Sequence, residues 1–144
     1  MIDIDIDIDI DMKEIGMKRD MELVRKILFE LEETVDNSAE YNLQIDGYSM
    51  DQIAYHCALL FEGGYVHDYK GQNSGGTIDM FGVGRLTWEG HDFLDKIRSD
   101  TVWNKTKETI RKQGLPMVVD VIKEISTSVI SAMVEGAIKG MIQS

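Results

Sequence analysis

Residues 49–97 read SMDQIAYHCALLFEGGYVHDYKGQNSGGTIDMFGVGRLTWEGHDFLDKI, and this stretch decides the fold class. Ser49 and Gln52 match a capping box, in which the serine hydroxyl accepts from a backbone N–H and the glutamine reaches back to the serine amide. The pattern predicts a helix from about residue 50 to residue 61. The paired glycines Gly63 and Gly64 then end it.

A β-hairpin is predicted directly after this helix. Residues 65–69 are rich in β-formers, and residues 77–86 form a second extended segment interrupted by glycines. Between them, residues 70–76 read as a turn of Gly, Asn and Ser. In this interpretation Gly71, Gly75 and Gly76 surround a flexible tip.

Helices are predicted on both sides of the hairpin. Residues 18–33 repeat apolar side chains with helical spacing, and residues 41–45 alternate like a short strand. After the hairpin, Thr87 can cap a helix to residue 97, with Trp88, Phe93, Leu94 and Ile97 as its apolar content. A further helix is expected from residue 99 or 100 to residue 113.

This order predicts an α+β fold of winged-helix type, in which the hairpin is the wing and a helix is added at the C-terminus. We expect a winged-helix domain at residues 17–114 and a C-terminal amphipathic helix, for packing or oligomerisation, within residues 115–144. Residues 1–16, with their Ile-Asp repeat, are predicted to be a dispensable low-complexity leader.

The net charge of −11 normally argues against nucleic acid, but the leader alone carries six acidic residues against one basic residue. Cys57 is the only cysteine, so an intramolecular disulfide and a cysteine-based zinc site are excluded. The start of the chain lacks a basic segment followed by an apolar run, and the sequence therefore predicts a cytoplasmic protein.

Residues 117–142 form a long apolar-rich segment after Pro116. Small residues recur in it at every fourth position, a row that lets two helix backbones approach closely. Packing on the domain or on a second copy is the main expectation. Five charged residues interrupt the segment and argue against a membrane span. The oligomerisation candidates are Ser128, Ala132, Gly136 and Gly140.

Three stretches carry a resemblance to a known family. These are residues 17–21 (MKRDM), residues 55–65 (YHCALLFEGGY) and residues 86–94 (LTWEGHDFL), the last continued at 97–98 and 103–107. Together they resemble a bacterial and phage domain-of-unknown-function family, number twenty-five-thirteen, over roughly residues 17–125. The resemblance implies a phage or mobile-element setting and supplies no catalytic residues.

The residues that could carry chemistry do not form a recognisable catalytic or metal pattern. His56, His67 and His91 fall on three predicted elements without metal-ligand spacing. An enzyme centred on Glu89, His91 and Asp92 is a remote alternative. We therefore predict no enzyme activity, no metal and no cofactor.

A binding function remains, with a protein partner expected and DNA as a possibility. The helix before the wing lacks Lys and Arg, which supply most specific base contacts, and its predicted outer face is polar and aromatic. Gln52 could read adenine from that face. The predicted contact residues on the helix and wing are Gln52, Tyr55, His56, Leu59, Lys70, Gln72, Asn73 and Arg85.

Basic residues elsewhere are candidates for phosphate contacts if the fold gathers them. They are Lys18, Arg19, Lys96, Arg98, Lys105, Lys107, Arg111 and Lys112. The sequence thus predicts a regulator or adaptor of winged-helix type. The alternative is a homo-oligomerising or membrane-active protein that acts through its C-terminal helix.

Overall fold

The computed structural model describes residues 18–34 and 38–143, so the predicted leader lies outside the described residues. The chain forms two compact units, one extending to Gly90 and one beginning at His91. Both the hairpin and the helix before it belong to the first unit. The sequence predicted a boundary at residue 114 between the winged-helix domain and the C-terminal helix. That boundary stays a prediction.

The first unit contains two helices and a small sheet before the unit boundary. Its elements are α1 (Met21–Thr34), β1 (Glu40–Tyr41), α2 (Met50–Glu62), β2 (Tyr69–Ser74) and β3 (Thr77–Val83). The three strands are antiparallel, in the order β1-β3-β2.

Three further helices follow. Their bounds are α3 (Trp88–Ile97), which spans the unit boundary, α4 (Asp100–Lys112) and α5 (Val119–Gln143). The described residues therefore make an α+β fold of five helices and one three-stranded antiparallel sheet, with a long C-terminal helix.

The hairpin is present, but its strands do not have the predicted bounds. Residues 65–68 make only an isolated bridge, between Val66 and Leu86, and β2 instead occupies residues 69–74. The turn is confined to Gly75 and Gly76, whose positive φ angles of 59° and 90° suit a tight hairpin turn. The predicted flexible tip around Gln72 and Asn73 was wrong. Because β2 is an exposed edge strand, its polar residues are compatible with a strand.

The predicted strand at residues 41–45 is also shorter than expected. It ends after Tyr41 because Asn42 adopts a positive φ of 51°. Asn42 stays attached to β3: its amide donates to the carbonyl of Phe81, and its side-chain oxygen accepts from the amide of Phe81. An asparagine tolerates this backbone conformation better than most residues.

The core of the first unit comes from the apolar stripes of α1 and α2 and from the end of β3. The fully buried side chains include Leu23, Ile27, Leu28, Ile53 and Phe81. The helical periodicity of residues 18–33 predicted this face of α1. Cys57 is also buried, and burial raises the pKa of its thiol to about 12.

Thr87 and Gly90 connect the end of α2 to the start of α3. The Thr87 hydroxyl donates to the carbonyl of Gly64 at 2.6 Å and accepts from the amide of Gly90 at 3.0 Å. A Cβ on Gly90 would lie 2.1 Å from the Tyr65 carbonyl oxygen, so a larger residue cannot replace this glycine without movement of the backbone. The Leu-Thr-x-x-Gly pattern thus has a structural role at this junction.

Trp88 was predicted to belong to the apolar side of this helix, but it does not contribute to the core. Its side chain is 84% exposed, whereas Phe93, Leu94 and Ile97 of the same helix are fully buried. Trp88 precedes Phe93 by five residues, which is about 140° around a helix of 3.6 residues per turn. It therefore lies away from the buried stripe.

The second unit has a core formed by side chains of α3, α4 and the first half of α5. Trp103 and Ile110 of α4 are buried, and Ile122 of α5 is fully buried. Ser99 caps α4 by accepting from the amide of Val102, as one of the two predicted capping residues. Gly114, at a φ of 66°, follows the end of α4.

Candidate interaction surfaces

The side chain of Gln52 caps the start of α2. Its side-chain oxygen accepts from the amide of Ser49 at 2.9 Å, and its own amide donates to the Ser49 hydroxyl at 3.1 Å. The predicted capping box is therefore confirmed. The same bonds occupy the side chain that would have had to read adenine.

His56 is the clearest correction to the predicted contact face. It is 1% exposed, on the buried side of α2 with Ile53 and Leu60, because residues at spacing i, i+3 and i+7 share one face of a helix. Its ring nitrogens contact the backbone of Asp20 and Gln52. Burial lowers the pKa of the ring, and hydrogen bonding to Gln52 opposes that effect.

The accessible part of α2 is consequently smaller and less polar than predicted. Tyr55 and Leu59 are half-buried, and Met50 and Phe61 expose 36% and 43% of their surface. Asp51 accepts from the amide of Ile78 at 2.7 Å, which attaches the start of α2 to β3. This carboxylate stands in the first turn of α2, where a phosphate would otherwise find backbone donors.

The four predicted contact residues of the hairpin region are all exposed. Gln72 and Asn73 lie on β2 at a register shift, and Lys70 lies on the same strand. Arg85 follows β3, and its carbonyl accepts from the amide of His67. The structure therefore places these residues on the surface of the same unit as α2.

The predicted basic residues are divided between the two units. Lys18 and Arg19 are exposed just before α1. The other six belong to the second unit, where several have neighbours. Arg98 pairs with Asp95 at 2.8 Å, and Lys112 pairs with Glu108 at 2.7 Å.

Two of these lysines make weaker contacts. The Lys107 ammonium lies 5.4 Å from the centre of the Trp103 ring, and the Lys96 ammonium is 3.5 Å from the Thr127 hydroxyl. Lys105 and Arg111 are exposed. Because residues 91–144 contain eight basic and seven acidic residues, the acidic average of the chain does not describe this unit.

Titratable side chains do not assemble into a metal site within residues 18–34 and 38–143, where no three His, Cys, Asp or Glu groups come together suitably. His67 and His91 are exposed, as are Glu89 and Asp92.

Tyr48 donates to the Asp20 carboxylate at 3.3 Å. Burial, and then the charge of Asp20, raises the pKa of Tyr48.

The second half of α5 is the largest run of exposed apolar side chains on one helix. Every residue from 131 to 143 is exposed, including Met133 at 42%, Val134 at 50%, Ile138 at 51% and Ile142 at 78%. In the first half, by contrast, Ile122 and Ser126 are buried. Burial on α5 is therefore confined to the part of the helix before residue 131.

The four small residues predicted for oligomerisation all lie on exposed parts of α5. A Cβ added at Gly136 or Gly140 would meet no atom within 4 Å. By its length and composition alone, α5 is also long and apolar enough to cross a membrane, a property shared by many helices of water-soluble proteins.

Sequence reasoning missed the bonds that join Asp20, Tyr48 and His56, which are separated by up to 36 residues. Local patterns do not reveal such pairings. The phase of His56 relative to Ile53 and Leu60 was the one available signal that its ring would be buried. The exposure of Trp88 could likewise have been inferred from its phase relative to Phe93.

Comparison with known proteins gives a family without an established activity. Residues 18–116 match the family described as "Hypothetical protein (DUF2513)". The chain is also similar to an uncharacterised protein of Haemophilus influenzae strain Rd, with 38% identity over 122 residues. This match covers 81% of the chain and 98% of the relative. No solved structure matches the chain. Because this match spans more than half of the chain, the chain belongs to the DUF2513 family.

Proposed function

We propose that the protein is a non-enzymatic regulator or adaptor of winged-helix type, cytoplasmic and of phage or mobile-element origin, which binds a protein partner. The phage setting rests on the sequence resemblance. The binding function rests on the surface of the first unit. DNA binding is the competing possibility for that surface.

The arrangement of elements supports the winged-helix assignment. α2 is followed by the β2-β3 hairpin, and β1 adds to the sheet beside β3. One feature departs from helix-turn-helix proteins, in which two helices are joined by a short turn. The described residues 38–49, between α1 and α2, contain β1 and a turn but no helix.

The chemistry of α2 is the observation that favours a protein partner over DNA. The helix has no Lys or Arg, its Gln52 side chain caps the helix, and Asp51 stands in the first turn. Reading DNA through the major groove depends mainly on Arg, Lys, Asn and Gln. A partly apolar face that carries Tyr55 and Leu59 instead suits contact with a protein.

A pair of measurements tests this proposal. A photo-crosslinking amino acid at Leu59, in cells of a bacterial host, should capture a discrete protein, whereas the same group at Glu33 near the end of α1 should not. In parallel, fluorescence anisotropy with a mixed-sequence DNA duplex should show only weak binding. Tight, salt-dependent DNA binding that is lost in Tyr55→Glu but retained in Glu33→Gln would reverse the choice between protein and DNA.

A second function is favoured by α5, namely self-association through its exposed half. Residues 131–143 span about 20 Å at ~1.5 Å per residue. They contain one Glu and one Lys, so two copies would not repel each other. Contiguous exposed apolar surface of this kind marks interaction sites, and the small side chains would allow close approach.

Analytical ultracentrifugation of the full chain over a range of concentrations tests self-association. Ile138→Glu and Gly136→Leu should weaken a dimer at least tenfold, while Lys139→Gln, which exchanges one exposed polar side chain for another, should not. A chain that stays monomeric at all concentrations would refute self-association. If that monomer also sediments with neutral lipid vesicles, α5 binds membranes instead.

A further inference from the structure

His56 has both ring nitrogens within hydrogen-bonding distance of backbone groups. Nε2 accepts from the backbone amide of Asp20 at 2.8 Å, and Nδ1 lies 2.8 Å from the carbonyl oxygen of Gln52. A carbonyl can only accept, so Nδ1 must carry the proton. Because an amide N–H can only donate, Nε2 must be unprotonated. The folded structure therefore requires a neutral ring with its proton on Nδ1.

The residue held by Nε2 also begins α1. One carboxylate oxygen of Asp20 accepts from the amides of Glu22 and Leu23, at 2.9 and 3.3 Å, and thereby caps the helix. The other accepts from the Tyr48 hydroxyl. The start of α1 is thus bonded to α2 through His56 and to the loop before α2 through Tyr48.

Addition of a proton to Nε2 would break this arrangement. The ring would then present an N–H to the Asp20 amide, so two donors would face each other within the distance of a hydrogen bond. The charged groups near the ring are the Asp20 carboxylate, which favours protonation, and Arg19, which opposes it. Burial opposes protonation more strongly than either, and the ring pKa is lowered.

We propose that His56 is a proton-sensitive latch, which when neutral holds the start of α1 against α2 and when protonated releases it. The released part of the chain would include Asp20 and the first turn of α1. A buried ionisable group that must stay neutral makes folding depend on pH.

The latch also adjoins the surface proposed to bind a partner. The rings of Tyr55 and His56 meet edge to face, with their centres 5.8 Å apart. Release of His56 would remove one support of Tyr55 and weaken partner binding at low pH. This last consequence rests on the proposed function, whereas the latch itself does not.

The direction of the pH effect follows from the lowered pKa. Above about pH 6.5 the ring is neutral in both the folded and the unfolded chain, and the latch contributes fully. As the pH falls below 6.5, the unfolded chain takes up the proton first. The equilibrium constant for folding then falls by up to about tenfold per pH unit, until the folded ring is protonated as well.

Nitrogen-15 NMR of the full chain tests the latch without any partner. At pH 7.5 the His56 ring should show the Nδ1-protonated tautomer. Its titration should lie below that of a histidine in an unstructured peptide. The protection of the Asp20 amide against hydrogen exchange, relative to its intrinsic exchange rate at each pH, should fall between pH 6.5 and pH 5 by at least fivefold more than that of the Ile110 amide in α4.

His56→Gln supplies the matched variant, because a glutamine oxygen can accept from the Asp20 amide and does not titrate. Its Asp20 exchange should lack the additional pH dependence, whereas His67→Gln and His91→Gln should retain it. A His56 ring that titrates at or above pH 6.5 in the wild type, or carries its proton on Nε2, overturns the proposal even if His56→Gln does not fold. Failure of Leu59 to crosslink any protein at pH 7.5, with the NMR result intact, would count only against the proposed function.

Discussion

The helix α2 and the second half of α5 are both rich in apolar residues, yet the fold uses them differently. In α2, the buried stripe and the bonds of Asp51 and His56 connect the helix to the rest of its unit. In α5, apolar residues beyond position 130 remain exposed. The difference teaches that apolar periodicity marks a surface suited to burial, but does not say which molecule will cover it.

The two tryptophans give the sharpest form of this comparison. Trp103 is 2% exposed and Trp88 is 84% exposed. Trp103→Ala should lower the free energy of unfolding by about 3–5 kcal/mol, the usual cost of removing a large buried aromatic side chain. Trp88→Ala should change it by less than about 0.5 kcal/mol. Urea unfolding followed by circular dichroism measures both, and equal losses would contradict the difference in burial.

Two glycines extend the comparison to the backbone. Gly90→Val should destabilise the protein by about 3 kcal/mol or more, because its side chain would collide with the Tyr65 carbonyl. Gly136→Ala, in the exposed half of α5, should stabilise the helix by up to about 1 kcal/mol. Thermal unfolding of the two variants would reveal the opposite signs. A Gly90→Val protein as stable as the wild type would show that the junction can readily move.

Asp20 tests the value of the bonds within the first unit. Asp20→Ala removes the cap of α1 and the bond from Tyr48, and should cost about 1–2 kcal/mol. Glu33→Ala, near the other end of the same helix, is the control and should have almost no effect. Chemical denaturation at pH 7.5 separates the two. Similar values for both variants would mean that the cap contributes little.

The smallest effect is expected from an ion pair on the surface of α4. Hydrogen bonding to Lys112 lowers the pKa of Glu108, but the pair is exposed and screened by solvent. Glu108→Gln should therefore leave the temperature of thermal unfolding almost unchanged. Thermal unfolding at low and high salt provides the check. A clear lowering of the unfolding temperature that does not depend on salt would show that the pair is more than a surface contact.

The sequence predicted local features well where one helix or one turn was sufficient to encode them. The serine and glutamine of the capping box, the serine cap of α4 and the buried face of α1 are all present. The predicted contact face was less accurate, since His56 is buried and Gln52 is occupied. His56 instead bonds to the backbone of Asp20, which is distant in the sequence, and Gln52 bonds to the neighbouring Ser49. Each of these bonds competes with a role of the side chain at the surface.

By itself the sequence determined the order of helices and hairpin, the family, and the acidic balance that is concentrated outside the last 54 residues. These depend on local propensity and on residue identity. Only the tertiary structure decided that β2 begins at Tyr69 and that His56 must be neutral. Each depends on atoms brought together from distant parts of the chain, or on which face of a helix the rest of the unit covers.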